Sequence, residues 1–208
     1  MLIIVRGELL YDSQKVYLCN MKIYIVNGID AFDESLVEKC LSFFPQWRKD
    51  KMLNYRFLKG KLQCALAYLL LIHALREEGV FDEMPEFFYG EHQKPYLRNY
   101  PDWYFNFSHC KNAVCCVLSR REVGVDIEEI KEYKESLAEY VCNEQELKLL
   151  HCSDNQDDDF YKLWTKKEAA FKKLGSGITK DIKNVLNSNV VVDSYKVGNM
   201  WLSVSYDK

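Results

Sequence analysis

The chain has 208 residues, of which 48% are hydrophobic and 28% charged, with a formal net charge of -3. That is enough apolar surface to bury the core of one large domain or two small lobes. The balance excludes both a generally basic nucleic-acid binder and an acidic disordered tail, and it leaves phosphate recognition to local groups of Lys and Arg.

The eight cysteines show no C-x-x-C spacing, and several stand in apolar runs. They read as reduced core thiols of a reducing compartment. No stretch reaches the ~20 consecutive apolar residues of a membrane span. Residues 1–20 carry Glu8 and Asp12 and lack a signal-peptide profile, so a cytoplasmic location is expected. This segment reads as an N-terminal extension, since Met21 is itself a plausible start.

Residues 21–27 (MKIYIVN) alternate as a β-strand, and 45–51 form a short charged turn. A long helix is predicted over 55–78, with Leu58, Leu62, Leu66, Leu69, Leu70 and Ala74 at helical spacing and Gly79 as its stop. Residues 80–101 are loop-rich. Strands at 113–118 and 123–128, joined by the polar turn 119–122, give a hairpin signal. A helical run over 134–152 breaks near Asn143. An acidic loop, 153–159, leads into a strong helix over 160–174 that ends at Gly175-Ser176-Gly177. The tail returns to β-pattern at 189–192 and 201–205. Strands and helices are segregated rather than alternating, which predicts an α+β fold.

Four places carry residues that admit both a plain structural reading and a functional one. In Gly124-Val125-Asp126-Ile127-Glu128, strand periodicity puts Asp126 and Glu128 on one face and Val125 and Ile127 on the other. Two neighbouring carboxylates repel unless something positive stands between them; a hard cation such as Mg²⁺ would serve, and a solvated strand face is the plain alternative. On the helix 160–174, Phe160, Leu163, Phe171 and Leu174 form an apolar stripe. Trp164, Glu168 and Lys172 climb its edge, with Lys166 and Lys173 facing solvent. Glu168 and Lys172 make either an ordinary i,i+4 pair or a third metal ligand and a phosphate contact. Ser108-His109 offers a phosphate contact or a loop hydrogen-bonding pair; a Ser-His-Asp triad is disfavoured because neighbours in an extended segment point to opposite sides. Asn143-x-x-Glu146 has capping-box spacing.

Together and in this order, four segments resemble the 4′-phosphopantetheinyl transferase family, in its larger subclass of two similar lobes in one chain. They are Lys94-Pro95-Tyr96-Leu97, Asn106-Phe107-Ser108-His109, Gly124-Val125-Asp126-Ile127-Glu128, and Trp164-Thr165-Lys166-Lys167-Glu168-Ala169 followed by Lys172. The resemblance covers about residues 21–177. It implies a monomer with an N-terminal lobe over 21–105, a C-terminal lobe over 106–208 and the substrate in the cleft between these pseudo-symmetric halves. It also implies transfer of 4′-phosphopantetheine from coenzyme A to a serine of an apo-acyl or peptidyl carrier protein, with Mg²⁺ as cofactor and 3′,5′-ADP as the second product. Asp126, Glu128 and Glu168 would hold the metal, and Lys172 would contact the pyrophosphate. Ser108 and His109 would meet the nucleotide's phosphates, most naturally the 3′-phosphate, with Arg48 and Lys51 as a basic pair for the same group. Lys94 and Pro95 would line the adenine, and Glu146 falls at a candidate general base. The family's Gly-Lys-Pro is here Gln93-Lys94-Pro95, and a basic position in the first long helix is Gln63. Rival readings are a non-catalytic coenzyme A or carrier-binding module, another Mg²⁺-dependent phosphoryl-transfer enzyme such as a nuclease, and a structural protein with unrelated surface acids. No nucleic acid or membrane partner is expected.

Overall fold

The structure, a computed structural model, describes residues 2–6, 21–175, 180–186 and 190–207. Most of the expected N-terminal extension, Cys19, and the Ser176-Gly177 end of the predicted helix stop lie outside them.

Two antiparallel sheets organise the chain. The first has the order β1 (Leu2–Arg6), β2 (Lys22–Asn27), β6 (Ala113–Ser119), β5 (Tyr104–His109); the second is β7 (Val123–Glu129), β9 (Met200–Tyr206), β8 (Val191–Val197). The long helix α3 (Leu58–Glu77) packs on β2 and β6. The second long helix, α6 (Gln156–Leu174), packs on β7 and β9. Each sheet thus carries one long helix, the α+β architecture expected. Helices α1 (Glu34–Phe43) and α2 (Gln46–Leu53) flank α3, and α4 (Glu135–Val141) and α5 (Glu144–His151) precede α6.

The apolar run of β6 is continuous because both of its faces are covered. Val114, Cys116 and Leu118 join the core under α3, while Ala113, Cys115 and Val117 face Val125, Ile127, Leu202 and Val204 of the second sheet. The sheets therefore pack face to face. All seven described cysteines are unpaired; six are buried, and Cys152 is exposed. Burial lifts the thiols of Cys40 and Cys142 to about 11, so they serve as small apolar groups.

Several sequence expectations need correction. The strands around 119–122 do not form a hairpin: β6 is a central strand whose edges are both taken, by β2 and β5, so β7 pairs with β9 instead. The first sheet therefore draws β2 from before residue 105 and β6 from after it, with β5 spanning that point. The charged turn is α2, whose buried positions are Arg48 and Met52, four apart; a guanidinium in the buried stripe hides the apolar period. The acidic loop is partly the first turn of α6, where Asp157, Asp158 and Asp159 complement the helix dipole and Asn155 accepts from the Asp158 N–H. Leu174 at the other end is 59% exposed, and Lys173 is partly buried against Asp207. The loop-rich region holds a small ribbon, β3 (Phe87–Tyr89) with β4 (Pro95–Leu97). By length and composition α3 could cross a membrane, but its apolar side chains fill the core between α1, α2 and the first sheet.

Gly124 sets how closely α6 lies on β7. A Cβ there would stand 2.2 Å from the Ala169 carbonyl oxygen and 2.2 Å from the Lys173 nitrogen, both backbone atoms. Gly124→Ala is therefore expected to destabilise the fold by more than about 3 kcal/mol, because neither obstacle can rotate away. Chemical denaturation checks this, and a loss under about 1 kcal/mol would mean that the helix can ride outward freely.

Candidate functional site

A cleft of about 340 Å³ opens where α2, α3, β5, β7 and α6 meet. Arg48 and Lys51 of α2, Ser108 and His109 of β5, Asp126 and Glu128 of β7, and Glu168 and Lys172 of α6 all line it. A second cavity of about 290 Å³ shares Phe107, Glu168 and Lys172 with the first and is bordered by Lys94 and Pro95. Glu146 lines neither.

The seam between β5 and β7 builds the cleft floor. Val125 N–H donates to Asn106 Oδ1 at 3.0 Å, and Ile127 N–H donates to Ser108 Oγ at 3.3 Å. Residues two apart on one strand thus serve N–H groups two apart on the other, and Asp126 is fixed between them. Asp126 is buried; its Oδ1 accepts from Ser108 Oγ at 2.8 Å and from Lys172 Nζ at 2.6 Å. Lys172 also donates to Ser108 Oγ at 2.8 Å. The other oxygen, Asp126 Oδ2, is buried without a partner among the described residues. Lys172 therefore bonds to Asp126 rather than to Glu168 one turn away, and Ser108 is committed to three partners rather than held ready for a phosphate.

Burial, reinforced by the Asp126 charge, pushes the carboxyls of Glu128 and Glu168 up to about 7. Burial alone would lower Lys172, but Asp126 overrides it and the ammonium is held above its usual range. Among the described residues no three Asp, Glu, His or Cys stand as a ready-made metal cage. The donor set nevertheless fits a hard divalent cation. Three carboxylates line one cleft, two of them are made costly to ionise by burial and then by the Asp126 charge, and the third has a buried oxygen with no donor among the described residues.

At the opposite wall, Arg48 is 3% exposed and forms no salt bridge among the described residues. One Nη2 donor reaches the Cys64 carbonyl, the Tyr68 ring lies 4.8 Å from the guanidinium carbon, and Nε is buried without an acceptor. A buried guanidinium without a counter-ion among the described residues is costly to keep in the fold unless something compensates its charge. Lys51 lies at the exposed rim, bonded to Tyr89 Oη at 3.0 Å, and His109 is exposed there too. Gln63 lines the cleft but donates to the Cys110 carbonyl at 2.9 Å, which makes it a brace between α3 and the β5–β6 turn. Lys94 is buried, its ammonium bound to Glu122 at 2.5 Å and to the Lys173 carbonyl at 2.6 Å. Its neighbour Gln93 adopts φ +64°, a left-handed conformation in which glycine would carry no strain.

Glu146 is a structural residue. It closes the capping box of α5, accepting from Asn143 N–H at 2.8 Å, and it pairs with Lys167 Nζ at 2.6 Å. Lys167 is fully buried, and its ammonium also donates to the carbonyls of Val141 (2.8 Å) and Lys183 (2.9 Å). Sequence reasoning passed over Lys167, though a signal existed: position 167 falls in the middle of the stripe Phe160, Leu163, Phe171, Leu174.

Two outcomes are expected. Glu146→Ala leaves the Lys167 ammonium buried without its carboxylate and removes the capping box, and should cost about 3–5 kcal/mol; an unchanged denaturation midpoint would contradict this role. For Glu168, the native carboxyl binds its proton up to about 7 whereas the unfolded one releases it near 4.5. The charged side chain thus costs stability above this window and the cost vanishes below it. In chelator, Glu168→Gln should melt higher than the parent at pH 8, and the gap should close as pH falls towards 4.5. A gap independent of pH would contradict the shift.

Comparison with known proteins agrees with this geometry. Residues 122–200, from just before β7 into the start of β9, match the 4′-phosphopantetheinyl transferase superfamily. The chain is 32% identical over 165 residues to the 4′-phosphopantetheinyl transferase psf-1 of Bacillus pumilus, covering 76% of this chain and 71% of that one. It is 26% identical over 162 residues to the 4′-phosphopantetheinyl transferase Sfp of Bacillus subtilis strain 168, covering 76% and 72%. It is 31% identical over 134 residues to the 4′-phosphopantetheinyl transferase AcpT of Escherichia coli K12, covering 58% and 66%. Identity of 32% over 76% of this chain and 71% of its relative, with a family match that takes in the strand and helix carrying Asp126, Glu128 and Glu168, shows that this chain belongs to the 4′-phosphopantetheinyl transferase family and is a transferase enzyme.

Proposed function

We propose that this enzyme transfers the 4′-phosphopantetheine group of coenzyme A to a serine hydroxyl of an acyl or peptidyl carrier protein, with Mg²⁺, releasing 3′,5′-ADP. The observation that carries the reading is one cleft with an unpaired buried guanidinium on one wall and three carboxylates with a lysine on the other. Coenzyme A asks for that combination: a terminal phosphate at one position and a diphosphate to be cleaved at another.

Arg48 would bind the 3′-phosphate, with Lys51 and His109 at the rim adding positive charge and a donor. Lys94 and Pro95, on the border of the adjoining cavity, would flank the adenine. Asp126, Glu128 and Glu168 would hold Mg²⁺, which when bound neutralises diphosphate charge and polarises the bond to be broken. Lys172 would offset the charge that develops on the departing nucleotide, the main task when a phosphoryl group passes between oxygens. The commitment of Glu146 to α5 and Lys167 speaks against its use as general base. The buried, unpaired thiols are compatible with a cytoplasmic enzyme.

The test is incubation with coenzyme A, Mg²⁺ and a panel of apo-carrier proteins, followed by mass measurement of each carrier. At least one carrier should gain the phosphopantetheine mass, and Asp126→Ala should lower kcat/KM by more than about a hundredfold. Arg48→Ala should weaken coenzyme A far more than dephospho-coenzyme A. Unchanged transfer by Asp126→Ala would defeat the metal assignment, and equal losses for the two nucleotides would remove the role of Arg48.

A further inference from the structure

The helix α6 carries two inward lysines of opposite design. Lys167 has three donors and three fixed acceptors drawn from α4, α5 and the 180–184 turn, and its side chain is wholly buried. Lys172, five residues on, keeps 30% of its side chain exposed, borders both cavities, and among the described residues is held by two side-chain atoms, Asp126 Oδ1 and Ser108 Oγ. The first is locked into the fold; the second is tethered at the mouth of the reaction site.

The Asp126 carboxylate is served unevenly. Oδ1 accepts two hydrogen bonds, one from an ammonium, while Oδ2 is buried with none among the described residues. A salt bridge evolved only for stability would satisfy both oxygens, because an unserved buried oxygen carries the full desolvation cost. A divalent cation and the Lys172 ammonium cannot both sit on one carboxylate without strong like-charge repulsion in a partly dry cleft.

We propose that Lys172 is the resident counter-cation of Asp126, that a divalent cation and this ammonium compete for that carboxylate, and that cation entry frees Lys172 for the anionic substrate. Ser108 acts as the positioning residue of the exchange. Its hydroxyl stays anchored by Ile127 N–H, so the ammonium keeps one tether while its other partner changes. The lysine is thereby released towards the second cavity, which it borders together with Phe107. Cation and coenzyme A then bind with positive cooperativity, since the first ligand makes available the group that meets the second. This inference rests on the carboxylates being the Mg²⁺ site proposed above.

The test measures binding of Mn²⁺ alone to the full chain, without coenzyme A, by titration calorimetry or electron paramagnetic resonance. Lys172→Met, which removes the competitor, should bind Mn²⁺ about tenfold tighter than the parent, while Lys172→Arg should not. Equal or weaker binding by folded Lys172→Met overturns the exchange. A second measurement needs no variant: the ¹⁵Nζ resonance of Lys172, protected from solvent exchange by Asp126 and Ser108, should shift and lose protection when Mg²⁺ is added. A resonance unmoved by saturating Mg²⁺ overturns the proposal as well. Carrier modification that stays Mg²⁺-dependent beside either negative result leaves the proposed function standing and removes only the exchange. Modification that proceeds in chelator, with no Mn²⁺ bound by any variant, removes both.

Discussion

The hydrogen bonds from Val125 and Ile127 to the side chains of Asn106 and Ser108 are the constraint on which the site depends. They join the edges of two sheets that share no backbone ladder, at 3.0 and 3.3 Å. Side-chain oxygens stand where a neighbouring strand's carbonyls would otherwise stand, so the two edges approach without merging into one sheet. Asp126 lies between the two donors, and its direction is set by this seam. Glu128 follows on the same face, and Glu168 and Lys172 arrive from α6 because Gly124 allows that helix to lie directly on the strand. Had β7 paired with β6 as a hairpin, Asp126 would have had no Ser108 beside it and no cleft to face.

Polar groups in this protein divide by how completely they are satisfied. Lys167, Glu146 and Asn143 form a closed set in which ammonium, carboxylate and cap answer one another, and they hold α4, α5 and α6 together. Among the described residues Asp126 Oδ2 and Arg48 Nε are buried without partners, and both belong to residues of the same cleft. His73 Nε2, Trp201 Nε1 and Ser205 Oγ are also buried without partners among the described residues but lie away from the cleft, so a missing partner marks the site only where it coincides with charge and the cavity lining. The contrast separates structural ions from functional ones when residue type alone does not, as the two lysines of α6 illustrate.

Much of the site was legible in the chain. The pairing of Asp126 with Glu128 follows from strand period, and the placing of Glu168 and Lys172 on one helix edge from helical period. The Asn143–Glu146 spacing gave the capping box that is present. Less legible was anything that depends on which element lies opposite. Arg48 looked like surface charge in a turn because its burial comes from Tyr68 and Cys64, sixteen and more residues away. Lys167 stood in an apolar stripe, but its three acceptors come from three other segments. Gln93 departs from glycine at a position whose left-handed backbone only the folded ribbon reveals.

The sequence by itself determined the two long helices, the strands β2, β6 and β7, the α+β class, and the shared faces of Asp126 with Glu128 and of Glu168 with Lys172. These follow from periods of two and 3.6 residues that any short segment expresses alone. Tertiary structure alone decided that β6 is central and turns β7 away to β9, that Lys172 meets Asp126 rather than Glu168, and that Glu146 serves the fold. Strand partners and ion pairs are chosen by competition among distant groups for the same edge or the same charge, and that competition is settled only when the sheets close on each other.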